Sequence, residues 1–352
     1  MSATMMTDSD DIARTARRAA AACTGLDAAA AARRLAEDGV LGLLAPEEVG
    51  GLGLPLSVAG PVVAASAAEL LAFPLTEALL LARLLARVAP DTAAAIVEGQ
   101  EVATIAWRGR LRATGAGAGA ALAGAGAALD GTVGRAALAG EARWLVAAVE
   151  GGGALIDLRA PGVAVQEDMT GLDLERPAAM VTLRSVPATL LVAAGADWSA
   201  LLADAQLLRA AESLGSAETC LEAAVAHVTQ RRQFGRALVA NQALRHELAR
   251  HKLALENARH ALDHALSAAA QDPQGRAMAR LVARATAAEA GPLICEGAVQ
   301  LHGGMGFTWD VPMHRHLRRV REAAAQCDPV GARAALAKRI DEPADAEQGW
   351  AA

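Results

Sequence analysis

Alanine makes up about a quarter of this 352-residue chain, and no other feature narrows its fold so sharply. Ala favours helix more than any other residue, so the composition argues for a helix-rich protein. It also deflates the 53% hydrophobic content, much of which is Ala rather than bulky side chains. The length allows two or three domains. Charge is 33 Lys+Arg against 39 Asp+Glu, net −6, which leaves no basic footprint for a nucleic acid partner. Lysine occurs only at Lys252 and Lys338, so Arg carries nearly all the positive charge; its planar guanidinium suits fixed contacts to phosphate.

Periodicity divides the chain into three zones and a tail. Residues 1–100 read as a helical domain: Ile12, Ala16 and Ala20 recur at helical spacing, 26–41 repeats the signal, and helices are expected over 57–71 and 77–88. Between them Pro46, Gly50, Gly51 and Gly53 break the pattern and predict a loop with tight backbone contacts. The acidic run at 8–11 reads as a capped helix start. Residues 101–195 read as a β domain, with short strands over 102–107, 144–149, 154–158, 162–166, 179–183 and 188–192. The Gly/Ala tract at 113–119 predicts a flexible loop. Residues 196–340 read as a helical bundle, with long helices over 241–266 and 275–301 and shorter ones from about Pro312. Residues 341–352 read as a disordered tail.

Several classes are set aside on local grounds. Cys23, Cys220, Cys295 and Cys327 are far apart and form no C-x-x-C pair, so neither a disulfide framework nor a zinc site is expected. His260 and His264 form an i,i+4 pair with no third ligand nearby, so no metal is expected. The N-terminus is unlike a signal peptide. The uncharged runs 49–68 and 113–129 are broken by Pro or made of Gly and Ala, so no membrane span is expected. These features together predict a cytoplasmic protein.

Two segments carry chemistry. One is Gln230-Arg231-Arg232-Gln233-Phe234-Gly235-Arg236, followed by Asn241-Gln242; the other is Gln300-Leu301-His302-Gly303-Gly304-Met305-Gly306-Phe307. Two of the chain's three Phe fall in them. Paired glycines let backbone approach a polyphosphate, Arg supplies charge, and Gln offers donor and acceptor to an adenine or ribose edge. Each alone also fits helix-ending glycines and a solvated Arg face.

With these motifs the chain resembles the acyl-CoA dehydrogenase family. The resemblance extends to 35–43 and to Pro46-Glu47-Glu48-Val49-Gly50-Gly51-Leu52-Gly53, so four signals lie in the family's order. It implies an α+β, acyl-CoA dehydrogenase-like fold: an N-terminal helical domain, a small middle β-barrel domain and a C-terminal four-helix bundle. It also implies FAD, shared across a subunit interface, with Arg231, Gln233, Phe234, Gln300, Gly303 and Gly304 on its pyrophosphate and adenosine and Gln242 as a weaker member.

The resemblance fails where the reaction needs a base. The family reaction removes an α-proton from an acyl-CoA with a Glu while hydride leaves to flavin. Counted by the family's spacing, the two positions that hold this Glu fall on Cys327 and Ala205. Asp328 is a weak candidate one residue away. Glu212 lies two helical turns beyond Ala205, about 10 Å along the axis, and reads as a hydrogen-bonded or interface carboxylate. The family's Thr-Glu-Pro-x-x-Gly-Ser and Trp-Ile-Thr/Ser stretches beside the flavin are missing as well. The first position reads Ile105-Ala106-Trp107-Arg108-Gly109-Arg110-Leu111-Arg112.

The resemblance and its gaps together imply a non-catalytic subunit. It would complete the FAD site of a full-length acyl-CoA dehydrogenase partner in an α2β2 assembly acting on steroid or other bulky acyl-CoAs. Electron-transfer flavoprotein is then the acceptor. The alternatives are a self-sufficient homo-oligomeric flavoenzyme using Asp328 or an unrecognised base, and a cofactor-free scaffold; Arg231, Phe234 and Gln300 count against the scaffold.

Overall fold

A computed structural model describes residues 3–114, 128–150, 152–168, 171–187, 190–193, 195–267 and 272–341. Five helices come first: α1 (Ala3–Ala22), α2 (Ala28–Glu37), α3 (Leu56–Ala68), α4 (Leu75–Leu85) and α5 (Pro90–Val97). The α1 helix starts at Ala3, so the acidic run at 8–11 falls inside it rather than at its cap. Nothing between Ala3 and Thr7 breaks a helix, which is why the acids do not mark its start. The α2 helix has a true cap: the Asp27 carboxylate accepts the Ala30 N–H at 2.7 Å. Its Ala28, Ala31, Ala32 and Leu35 form the buried stripe.

The break between α2 and α3 folds back on itself. Gly53 N–H donates to the Ala45 carbonyl at 2.7 Å and Leu52 N–H to that of Gly42 at 2.9 Å. A Cβ at Gly51 would overlap the Ala45 carbonyl, so only glycine lets the two backbones pass. The α4 helix is buried on all sides through Leu79, Leu80, Leu81 and Ala82, as expected of a helix at the centre of a large core. It carries Glu77 into that core, completely shielded from solvent.

The middle strands are β1 (Ala103–Thr114), β2 (Ala128–Ala137), β3 (Trp144–Val149), β4 (Gly152–Asp157), β5 (Val163–Glu167), β6 (Ala178–Pro187) and β7 (Leu190–Ala193). They make one mixed sheet in the order β5-β6-β2-β1-β3-β4-β7, with β1 and β3 parallel and the other neighbours antiparallel. Two strands depart from the sequence pattern. Strand β2 has no signal of its own: Gly131, Gly134 and Arg135 interrupt its apolar pattern, and pairing with both β1 and β6 imposes the extended form. Strand β1 runs on through Arg108–Arg112 to Thr114 because Arg108, Arg112 and Thr114 pair with Gly134, Asp130 and Ala128. Of the expected loop at 113–119, residues 113 and 114 therefore belong to β1, and the rest lies outside the described residues.

The C-terminal part is a bundle of α6 (Gly195–Gln230), α7 (Gln242–Ser267), α8 (Pro273–His302) and α9 (Met313–Gln326), with α10 (Pro329–Asp341) packed on α8. The expected tail beyond 341 lies outside the described residues. A short antiparallel hairpin, β8 (Arg232–Gln233) and β9 (Arg236–Ala237), joins α6 to α7. Small residues draw α6 against α3: a Cβ at Gly215 would overlap the Ala64 carbonyl. Among the described residues, no helix is long and apolar enough to cross a membrane, and no group of three or more His, Cys, Asp and Glu could hold a metal ion.

Candidate functional site

The two motifs singled out in the sequence meet at one end of the bundle. Phe234 and Gly235, the central residues of the β8–β9 hairpin, have φ of 54° and 77°. A turn with two left-handed residues matches the twist of a two-residue hairpin, but a bulky aromatic there is strained. The Phe234 side chain is 94% exposed. Arg231 N–H donates to the His227 carbonyl at 2.8 Å, and the Arg231 carbonyl accepts from Leu238 N–H at 2.9 Å, so the hairpin is pinned at its base. The side chains of Arg231, Gln233 and Gln242 stand in solvent.

At the other motif, α8 ends at His302 and the chain reverses through Gly303, at φ 62° and ψ −140°, a conformation open essentially to glycine alone. A Cβ added at Gly303 or Gly304 would meet nothing within 4 Å, so the backbone there is open to an incoming group. Gln300 is exposed on the last turn of α8. A pair of imidazoles joins the motifs: His227, near the end of α6, stacks on His302 with centroids 4.5 Å apart and planes inclined by 28°. A guanidinium, primary amides, a bare glycine backbone and an exposed aromatic make a donor set suited to the pyrophosphate and adenosine of a dinucleotide such as FAD.

The positions assigned to the base lie elsewhere, beside a cavity of about 230 Å³ between β1, α6 and α9. Ala205 lines it together with Trp107, Arg108, Arg135, Arg209 and Glu322. Cys327 is completely buried next to it, its thiol donating to the Gln206 carbonyl at 3.5 Å. Burial pushes that thiol up to about 12, the nearby Arg284 and Arg209 notwithstanding. Asp328 does not line the cavity. Its carboxylate caps α10 by accepting Gly331 N–H at 3.0 Å, pairs with Arg284 at 3.4 Å, and is more than half exposed. A general base needs a desolvated carboxylate within reach of substrate, and none of these three side chains is one.

A chain of buried ion pairs, which sequence reasoning missed, fills the region instead. Glu77 of α4 pairs with Arg209 of α6 and accepts the Trp107 indole N–H at 2.9 Å. Arg209 reaches Glu212 at 2.7 Å and the Gln326 amide oxygen at 2.8 Å. Glu212 pairs with Arg176 at 2.6 Å; Arg176 continues to Asp173 at 3.1 Å, and Asp173 to Arg319 of α9 at 2.9 Å. Burial opposes ionisation of Glu212, but Arg176, Arg209 and Arg319 outweigh it and hold the carboxyl below its usual range. Asp173 is depressed as well, with Arg319 and Arg176 overcoming its burial. A carboxylate so held accepts no proton near neutrality. The local signals were the i,i+3 spacings of Arg209 with Glu212 and of Asp173 with Arg176; the other partners are distant in sequence.

Known proteins share both the bundle sequence and the whole fold. Residues 198–325, most of the bundle, match the family model for the acyl-CoA dehydrogenase C-terminal domain. Over 286 residues the chain is 28% identical to acyl-CoA dehydrogenase FadE34 of Mycobacterium tuberculosis, covering 81% of this chain and 38% of that protein. The chain spans about two fifths or less of the length of the curated relatives it matches. Its fold superposes on a variant of the Tcur3481-Tcur3483 steroid ACAD with a TM-score of 0.84 at 26% identity, covering 96% of this chain and 98% of the other. The ChsE4-ChsE5 complex from Mycobacterium tuberculosis gives 0.84 at 25% identity, with the same coverages. The fold is thus acyl-CoA dehydrogenase-like from end to end, helical at both ends around a mixed sheet.

Proposed function

We propose that this chain is the non-catalytic subunit of a heteromeric, FAD-dependent acyl-CoA dehydrogenase, completing its partner's cofactor site in trans. One contrast carries the reading. Arg231, Gln233, Phe234, Gln300, Gly303 and Gly304 stand open at the end of the bundle, while the base positions hold Ala205 and a neutral, buried Cys327. An exposed Phe on strained backbone supports a surface that is covered in the assembly.

Each residue has a definite task in this reading. Arg231 brings charge to the pyrophosphate, Gly303 and Gly304 leave bare backbone open to its approach, Gln233 and Gln300 offer amides to the adenosine, and Phe234 shields it; Gln242 lies at the margin. When bound, FAD supplies the hydride acceptor for α,β-dehydrogenation of an acyl-CoA whose α-proton the full-length partner's Glu removes. Electron-transfer flavoprotein is the acceptor assigned to the complex. Two solved neighbours support the details: one is the ChsE4-ChsE5 complex, and the other, Tcur3481-Tcur3483, is a steroid ACAD, which favours a steroid or similarly bulky acyl group.

The test is to purify the chain alone and together with its full-length partner, following flavin absorbance and acyl-CoA turnover with an artificial acceptor. Alone, it is expected to be colourless and inactive; with the partner, flavin and turnover appear. Stoichiometric FAD with turnover from this chain alone would sink the proposal.

A further inference from the structure

Among the described residues, the His227–His302 stack is the only ring–ring contact between the two motif-bearing helices, α6 and α8. Each imidazole is one step from a motif. His227 offers its carbonyl to Arg231 N–H at 2.8 Å, which sets where the hairpin leaves α6. His302 directly precedes Gly303 and is nine-tenths buried. Its Nδ1 lies 2.8 Å from the Ala298 carbonyl, and against a carbonyl that nitrogen must carry the proton. The neutral ring therefore keeps its lone pair on Nε2.

Resting on the cofactor reading above, we propose that the stacked His227–His302 pair is a positioning latch: while both rings are neutral it holds the Arg231 hairpin and the Gly303-Gly304 turn at the separation that one pyrophosphate-adenosine group spans. The groups that face His227 are His302 from α8 and Arg231 from the hairpin. Neither imidazole has a carboxylate partner among the described residues. Burial, His302 and Arg231 all depress the affinity of His227 for a proton. Charging His227 sets a cation beside the Arg231 guanidinium at the end of α6, which weakens the contact between the motifs. The latch is therefore intact above the ordinary imidazole range near pH 6.5 and weakens as pH falls into the depressed range of His227 below it.

The probe is ADP-ribose, which carries the adenosine and pyrophosphate of FAD and has no group titrating between about pH 5 and 8. Its affinity for the full-length chain would be measured by calorimetry across that range. For the native chain, affinity is expected to fall about tenfold from about pH 7.5 to about pH 5.5. His227→Phe, which keeps an aromatic stack on His302 and removes the ring whose proton affinity is depressed, should flatten the profile, as should the double variant His227→Phe/His302→Phe, in which neither imidazole is left. His302→Ala should bind weakly throughout. Should one Phe variant misfold, the other carries the test, because a structural role alone would not flatten a pH profile. A His227→Phe profile identical to the native one would overturn the latch. So would binding that strengthens on acidification, since the rings would then be acting as cations on the phosphates. Failure of the functional reading is distinguishable: native chain that does not bind ADP-ribose at about pH 7.5, or binds it regardless of Arg231→Ala, removes the cofactor site itself.

Discussion

The Cys327 thiol donates to the carbonyl of Gln206 across 3.5 Å, which sets the C-terminal end of α9 against the residue after Ala205. The two positions that the family resemblance assigns to a catalytic Glu are thus neighbours in space although 122 residues apart in the chain. Neither can take a proton from carbon: Ala205 has no functional group, and Cys327 stays a thiol up to about 12.

Cys327→Ala and Asp328→Asn are therefore expected to leave turnover of the assembled complex within a few-fold. A missing carboxylate base normally costs orders of magnitude. Asn also serves as an N-cap, so Asp328→Asn preserves the start of α10. Steady-state turnover beside flavin content decides the matter; collapse of turnover in Asp328→Asn with flavin intact would make this subunit catalytic.

Arg231→Ala is expected to strip FAD from the complex although the partner is untouched. Losing a charge-assisted hydrogen bond to pyrophosphate is worth about 1.5–3 kcal/mol, or about ten- to a hundredfold in affinity. Arg236→Ala is the control, since its guanidinium is engaged with the Asn241 amide oxygen at 2.6 Å. Flavin absorbance after gel filtration reads the difference, and equal flavin in both variants would reject the assignment.

The buried ion pairs predict a large and specific loss of stability. Glu212→Gln leaves Arg176 and Arg209 each short of a charge partner in a site closed to water. Breaking one side of such a pair costs about 3–5 kcal/mol. Glu256→Gln, which breaks a solvent-facing pair with Lys252, should cost less than about 0.5 kcal/mol. Urea midpoints of the two variants should separate clearly; similar midpoints would mean that water reaches the interior network.

Acid sensitivity should begin above the carboxylate range. Burial, Arg319 and Arg315 push His316 down to about 3, against an ordinary value of 6.5. The unfolded chain therefore takes up this proton first as pH falls. Stability is intact above about pH 6.5 and declines by up to about 1.4 kcal/mol per pH unit towards about pH 3. The depressed Asp173 and Glu212 act with the same sign at lower pH, contributing stability above the ordinary carboxylate range that is lost as they protonate. Chemical unfolding at several pH values, with His316→Phe for comparison, should show a shallower slope for the variant between about pH 6.5 and 4.5. Parallel slopes would assign the effect to other groups.

Much of the architecture was legible because periodicity reports which side of a local segment is buried. The long helices α7 and α8 and the strand β3 match their patterns, since Leu248, Leu255, Leu262 and Leu266 recur on one face of α7. Strand β2 was not legible, because glycines and an arginine within it acquire extended form only from two flanking strands.

The candidate site divides along the same line. The residue types at Arg231, Phe234, Gln300 and Gly303, and the missing Glu at Ala205 and Cys327, were written in the sequence, because each is a property of one position. Tertiary structure alone brought the hairpin and the glycine turn together through His227 and His302, and joined Glu77 to Arg209, 132 residues away, in the core. Sequence encodes the chemistry each residue can perform and the face it presents locally. Which charges meet is decided when distant helices pack, because desolvation there requires every buried charge to find a partner.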